Sequence, residues 1–141
     1  MTYLLDTNTC IYLMKHIPAV VQRFSENRNH DIAISSITLA ELEFGVSKSA
    51  AKEKNRETLL AFLALVDVLP FEDGAAMQYG EIRAELEGKG QVIGALDMLI
   101  AAHGKSKGLT VVTNNTGEFR RVSGLKLEDW SSSVPTQDKG G

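Results

Sequence analysis

The sequence predicts an α/β fold, with a mainly parallel sheet covered by helices. Short apolar segments of strand length recur along the chain, separated by longer segments whose apolar residues have helical spacing. Such alternation implies βαβ units, whose strands run parallel. The chain has 141 residues, a length that usually makes one domain, and 43% of them are hydrophobic, enough for a sizeable core.

Residues 2–5 (TYLL) are short and apolar and end on Asp6, the pattern of a buried strand. Residues 7–15 form a helix, and Pro18 opens a second, since its fixed φ suits the first helical position. Residues 31–35 (DIAIS) make a second strand of β-branched character. Residues 38–47 are helical with Leu39, Leu42 and Val46 on one face. Residues 53–65 follow as a helix striped by Leu59, Leu60, Leu63 and Leu65, and residues 66–70 (VDVLP) alternate as a strand.

Residues 75–87 read as an exposed helix containing Met77, Ile82 and Leu86, stopped at Gly88-Lys89-Gly90. Residues 95–105 are a strongly apolar helix, and residues 109–113 (LTVVT) a buried strand. Lys126 and Leu127, with Trp130, form a last short strand. The Ser-, Pro- and Gly-rich residues 131–141 are expected to be a disordered tail, which leaves residues 1–130 as the folded domain.

Composition excludes several classes. Cys10 is the single cysteine, so there is no disulfide framework; it reads as a small buried apolar residue in a reducing compartment. No apolar run approaches membrane-spanning length, and the start MTYLLDTN lacks a basic flank and a long apolar region. A cytoplasmic protein without a membrane partner is expected. The net charge of -3 speaks against bulk nucleic-acid binding, but local basic patches can still dock phosphates.

In an open parallel sheet, ligands bind outside the carboxyl ends of the strands. Asp6 directly follows the first strand, and Asn114, Asn115 and Glu118 follow the strand ending at Thr113. Glu41 lies in the first turn after the second strand, and Asp97 is the only charged residue near the start of its apolar helix. Four carboxylates from distant parts of the chain can therefore meet. Close carboxylates need a supplied positive charge to stay ionised. Magnesium suits them, because it takes one or two protein carboxylates and keeps waters and phosphate oxygens. Two such ions can assist hydrolysis of a phosphodiester. The three histidines, His16, His30 and His103, lack zinc-ligand spacing.

Each acid also has a structural role open to it. Asp6 and Asp97 can cap helices, Thr38 and Glu41 match a capping box, and Glu118 can be a solvent-facing turn residue. Capping and metal binding are compatible, because a helix N-terminus favours the ionised acid. Caps alone do not explain carboxylates at one sheet edge, since Ser, Thr or Asn would serve equally. Glu43 should be solvated, and His103 should pack or hydrogen-bond. Lys48, Lys52, Lys54 and Arg56 form one cationic cluster and Arg120 and Arg121 another, the two candidate phosphate contacts. Gly88 and Gly90 lack a P-loop context.

Four ordered motifs, LLDTN at residues 4–8, SSITLAELEFG at 35–45, ALDMLIAAH at 95–103 and VVTNNTGEF at 111–119, resemble those of the PIN-domain toxins called VapC. GLKLEDW at 124–130 is similar to their last strand, so the likeness runs almost to Trp130. It implies a PIN-like three-layer α/β/α sandwich with a mainly parallel sheet. It puts the family's four catalytic acids at Asp6, Glu41, Asp97 and Glu118, with Asp6 and Asp97 as metal ligands and Asn8, Thr113 and Asn115 as supporting polar groups. The implied activity is Mg²⁺- or Mn²⁺-dependent endoribonuclease, cutting structured RNA, commonly tRNA and here by resemblance initiator tRNA. The implied partners are a second copy of the chain and an antitoxin that lies across the site. Gly117 departs from the pattern, standing where close relatives usually carry a basic residue. Two other functions compete. A silent PIN-like RNA- or protein-binding module would have lost an acid, and all four are present. A receiver domain would need a lysine near the last strands, which LTVVTNN does not offer.

Overall fold

The computed structural model describes residues 2–132. The expected tail therefore lies almost wholly outside the described residues. In chain order the elements are β1 (Tyr3–Leu5), α1 (Thr7–Met14), α2 (Pro18–Glu26), β2 (Ile32–Ser35), α3 (Ser36–Lys48), α4 (Lys52–Leu63), β3 (Asp67–Leu69), α5 (Asp73–Lys89), α6 (Ala95–Ser106), β4 (Thr110–Val112), α7 (Thr116–Phe119) and β5 (Lys126–Glu128). The strands pair in the order β3-β2-β1-β4-β5, and every pairing is parallel. The register sets Leu4 of β1 beside Ala33 of β2 and Val111 of β4.

Alternation along the strands divides the core into two. Tyr3, Leu5, Ile32, Ile34 and Val112 face one way, and α2, α3 and α4 cover them with Val20, Phe24, Leu42, Val46, Leu59 and Phe62. Leu4, Ala33 and Val111 face the other way, under Ile82 and Leu86 of α5, Met98, Ile100 and Ala101 of α6, and Phe119 of α7. The central strands are buried on both faces, which is why they read as continuous apolar runs. The result is the three-layer α/β/α sandwich. The α6 helix lies so close to β4 that a Cβ on Gly104 would come 2.5 Å from Val111 Cγ2.

Three elements differ from the sequence expectation. The α3 helix starts at Ser36, two residues upstream of Thr38, because the Ser35 hydroxyl accepts the Ile37 N–H and caps it there. The α5 helix is not free-standing: Ala75, Ile82 and Leu86 are buried while Met77 is exposed. It ends at Gly90, whose φ of 65° suits the left-handed cap. The short α7 has no apolar periodicity to announce it, and only Phe119 anchors it.

The chain leaves β1 toward β2 and β3 on one side and returns to β4 and β5 on the other. The strand order thus reverses between β1 and β4. A crevice outside the carboxyl ends of those two strands is where such a sheet binds ligands.

Candidate active site

Asp6 leaves β1 at this switch point and is the N-cap of α1, its Oδ1 accepting the Thr9 N–H at 2.9 Å. Capping and a place in the crevice thus coincide in one residue. Its backbone N–H is held by the Val112 carbonyl of β4 at 3.0 Å, and Thr9 Oγ1 donates to the same carbonyl at 3.1 Å. The residue is only 3% exposed. Burial pushes its pKa above the ordinary range, against the pull of hydrogen bonds from Thr113 and Thr9.

Asp6, Thr7, Asn8, Glu41, Gly94, Ala95, Leu96 and Asp97 line one open cleft of about 430 Å³. Glu41 reaches it from α3. It is not part of a capping box: α3 is already capped by Ser35, and the buried Thr38 hydroxyl has no hydrogen-bond partner among the described residues. Glu41 Oε1 instead accepts the Thr7 hydroxyl at 2.5 Å. Asp97 sits in the first turn of α6 but is not its cap, which is Gly94. Its Oδ2 accepts the Asn115 amide at 3.1 Å, and the Asn115 N–H is held by Thr113 Oγ1 at 2.9 Å. A chain of hydrogen bonds therefore runs from Asp6 through Thr113 and Asn115 to Asp97. Glu118, on α7, accepts the Gly94 N–H at 3.3 Å at the cleft wall. Asn8 lines the cleft and is exposed.

The Asp97 pKa is raised first by desolvation and then by the charges of Asp6, Glu118 and Glu41. The four acids therefore share one electrostatic site, and none of the residues lining the cleft is cationic. Among the described residues no three acidic, His or Cys side chains converge tightly enough to hold a metal by themselves. That donor set fits a hard dication which takes one or two carboxylates and keeps its waters, and does not fit a closed zinc site.

The cations lie apart from this centre. Lys48, Lys52 and Lys54 are exposed at the end of α3 and the start of α4, and the Lys48 ammonium stands 5.1 Å over the Phe44 ring. Arg56 is committed to Glu43 at 2.7 Å, so Glu43 is paired and not simply solvated. Arg120 and Arg121 are both exposed, and the Arg121 guanidinium donates to the Val92 carbonyl at 3.2 Å and braces the loop before α6. Sequence reasoning missed Thr7, Thr9 and Gly94. Thr7 lies within LLDTN and could have been found there; nothing local marks Gly94.

The PIN domain family model matches residues 3–125. The chain is 47% identical to the tRNA(fMet)-specific endonuclease VapC of Shigella flexneri, over 92% of this chain and 98% of that one. It is 46% identical to ribonuclease VapC2 of Rickettsia felis, over 92% and 98%. Among solved structures, it superposes on the VapBC2 complex of Rickettsia felis, bound to a promoter DNA fragment, with a TM-score of 0.88, at 45% identity over 92% of this chain and 99% of that one. VapBC-1 of nontypeable Haemophilus influenzae gives 0.86 at 34% identity, over 94% and 100%.

Proposed function

This chain belongs to the PIN-domain family, among the VapC ribonucleases, and on that premise we propose that it is a Mg²⁺-dependent endoribonuclease toxin that cuts a loop of a folded RNA, a tRNA and by its relatives' names initiator tRNA. The observation that carries this is the convergence of Asp6, Glu41 and Asp97 on one open cleft, with Glu118 bonded to Gly94 in its wall.

Asp6 and Asp97 would hold the cation, since they flank the cleft from opposite sides of the switch point. Mn²⁺ has the same taste for oxygen and would substitute. When bound, the ion would neutralise the scissile phosphate and ease deprotonation of water. Glu41 and Glu118 would orient the attacking water, one of them taking its proton as the oxygen–phosphorus bond forms, and the leaving oxygen would take a proton from solvent water as its bond to phosphorus breaks. Thr113 and Asn115 would keep the two ligand carboxylates at fixed separation, and Asn8 would meet the substrate at the cleft mouth. Lys48, Lys52, Lys54, Arg120 and Arg121 would contact the RNA backbone.

A partner antitoxin belongs to the same reading. Its support is that the superposed Rickettsia and Haemophilus structures are VapBC assemblies. A groove of about 300 Å³ between α1, α3 and α4, walled by Ile11, Met14 and Leu42, also shares Glu41 with the cleft. An apolar segment in that groove could carry an Arg onto the carboxylates in a bidentate contact. Pairing of two copies, implied by the family resemblance, is checked by light scattering. The deciding experiment is cleavage of total tRNA with Mg²⁺ and with EDTA. Specific fragments that appear only with the metal are expected. Binding without cleavage in Mg²⁺ and in Mn²⁺ would leave a silent RNA-binding module instead.

A further inference from the structure

His103 belongs to no catalytic proposal above, yet it is fully buried at the carboxyl edge of the sheet. It lies on α6, six residues and about 9 Å of helix beyond Asp97. Its Nδ1 is 2.8 Å from Ser35 Oγ, also fully buried. Ser35 is the residue at which β2 ends and α3 is capped. The α3 and α6 helices cover opposite faces of the sheet, and face-to-face layers stand about 10 Å from a sheet on each side. By the alternation along β2, Ser35 shares the face of Ala33 that α6 covers, so the contact joins α6 to the last residue of β2, where α3 begins.

The chemistry of the pair is constrained. Ser35 Oγ accepts the Ile37 N–H at 3.0 Å and keeps both its proton and a second lone pair for the hydrogen bond with His103 Nδ1. In either tautomer the ring's Nε2 has no hydrogen-bond partner among the described residues. The ring stands edge-on to Phe71 at 5.6 Å, and the Phe71 N–H is in turn held by Ser36 Oγ at 3.1 Å. A buried polar atom left without a partner is costly, so a plain apolar residue would pack here more favourably. Packing alone does not account for the histidine.

We propose that His103 is a positioning residue, which through Ser35 sets where the start of α3, and with it Glu41, stands against Asp97 on α6. The proposal rests on the nuclease function above. Glu41 lies six positions after Ser35 on α3, and Asp97 six before His103 on α6, so a shift at the Ser35–His103 contact moves the two acids relative to each other. Misplacing catalytic groups by about 1 Å costs on the order of a hundredfold in rate.

The test uses purified full-length protein and a defined tRNA substrate. The variants are His103→Leu, His103→Asn, Ser35→Ala and the double variant Ser35→Ala/His103→Leu, each measured for kcat, KM and Tm. A fall in kcat of about tenfold to a hundredfold with KM nearly unchanged is expected for both single apolar variants. The double variant should be no slower than Ser35→Ala, because both singles break the Ser35–His103 contact and Ser35→Ala alone also removes the α3 cap, a loss read in Tm. His103→Asn keeps a polar atom near the Nδ1 position and should recover most of the rate. Unchanged kcat in a folded Ser35→Ala or His103→Leu variant overturns the proposal, as do multiplicative losses in the double. If His103→Leu does not fold, Ser35→Ala and His103→Asn decide alone, with a fast Ser35→Ala or a His103→Asn no better than it as the overturning results. Wild-type protein that cleaves no RNA would instead overturn the nuclease function.

Discussion

The Asn115 side-chain amide donates to Asp97 Oδ2 at 3.1 Å, fastening the loop after β4 to the first turn of α6. Through Thr113 the same loop also hydrogen-bonds Asp6 at the end of β1. Two carboxylates that repel each other are thus held by neutral groups. A cation bound between them would relieve that repulsion.

Asp6 separates capping from chemistry. Asn is as good an N-cap as Asp, so Asp6→Asn should keep α1 intact, with Tm at or above that of the wild type. Asp6→Ala removes the cap and should cost about 1 kcal/mol of stability. Both should slow cleavage on the order of a hundredfold or more, as when one preorganised electrostatic group is removed. Thermal melts and tRNA cleavage assays on the pair check this; an active Asp6→Asn enzyme sinks the metal role.

Glu41 is tested by the change that keeps its hydrogen bond. A glutamine carbonyl can still accept the Thr7 hydroxyl, so Glu41→Gln should melt close to the wild type. Cleavage should nevertheless fall on the order of a hundredfold or more, because the charge is gone. Wild-type activity in Glu41→Gln would show that only the hydrogen bond matters.

Metal and pH act on the same two carboxylates. The folded pKa values of Asp6 and Asp97 lie above those of the unfolded chain. From the ordinary carboxyl range near pH 4 up to the raised values, the native state binds more protons than the unfolded one. In EDTA, stability should therefore be greatest below this window and fall as pH rises through it. Asp97→Asn should flatten the decline and raise Tm at neutral pH. Mg²⁺ at a hundred times its Kd should stabilise the wild type by about 2.7 kcal/mol. Calorimetry across pH, with and without metal, reads both effects; a wild-type Tm indifferent to Mg²⁺ at neutral pH counts against the cation site.

RNA binding should show its phosphate interactions in the salt dependence. For single-stranded RNA, removing one cation that meets a phosphate should reduce the slope of log affinity against log salt by about 0.7. Lys48/Lys52/Lys54→Ala should lower the slope without moving the cut position, since backbone interactions carry little sequence information. Arg120→Ala should act likewise. Arg121→Ala should also lower kcat, because it releases the Val92 carbonyl in the loop that leads to Gly94. Slopes equal to wild type in all three variants would place the RNA path elsewhere.

The alternation of apolar strands and helices determined the layered parallel sheet, because strands buried on both faces must be apolar throughout. The acids stood out for a related reason: Asp6 directly follows such a strand, and Asp97 interrupts an apolar helix. Local pattern could not say what each acid touches. Thr38 and Glu41 satisfy the capping-box spacing, yet Ser35 takes the cap because the chain turns at the end of β2. Glu41 is then bonded to Thr7, 34 positions away in sequence. The short α7, the brace from Arg121 and the buried Ser35–His103 pair likewise depend on contacts between segments far apart in the chain. The sequence by itself determined the layers and the residues rich in chemistry, since periodicity and burial are local properties. Only the tertiary structure decided which carboxylates share a field and which polar groups hold them, since a hydrogen bond depends on where distant backbones meet.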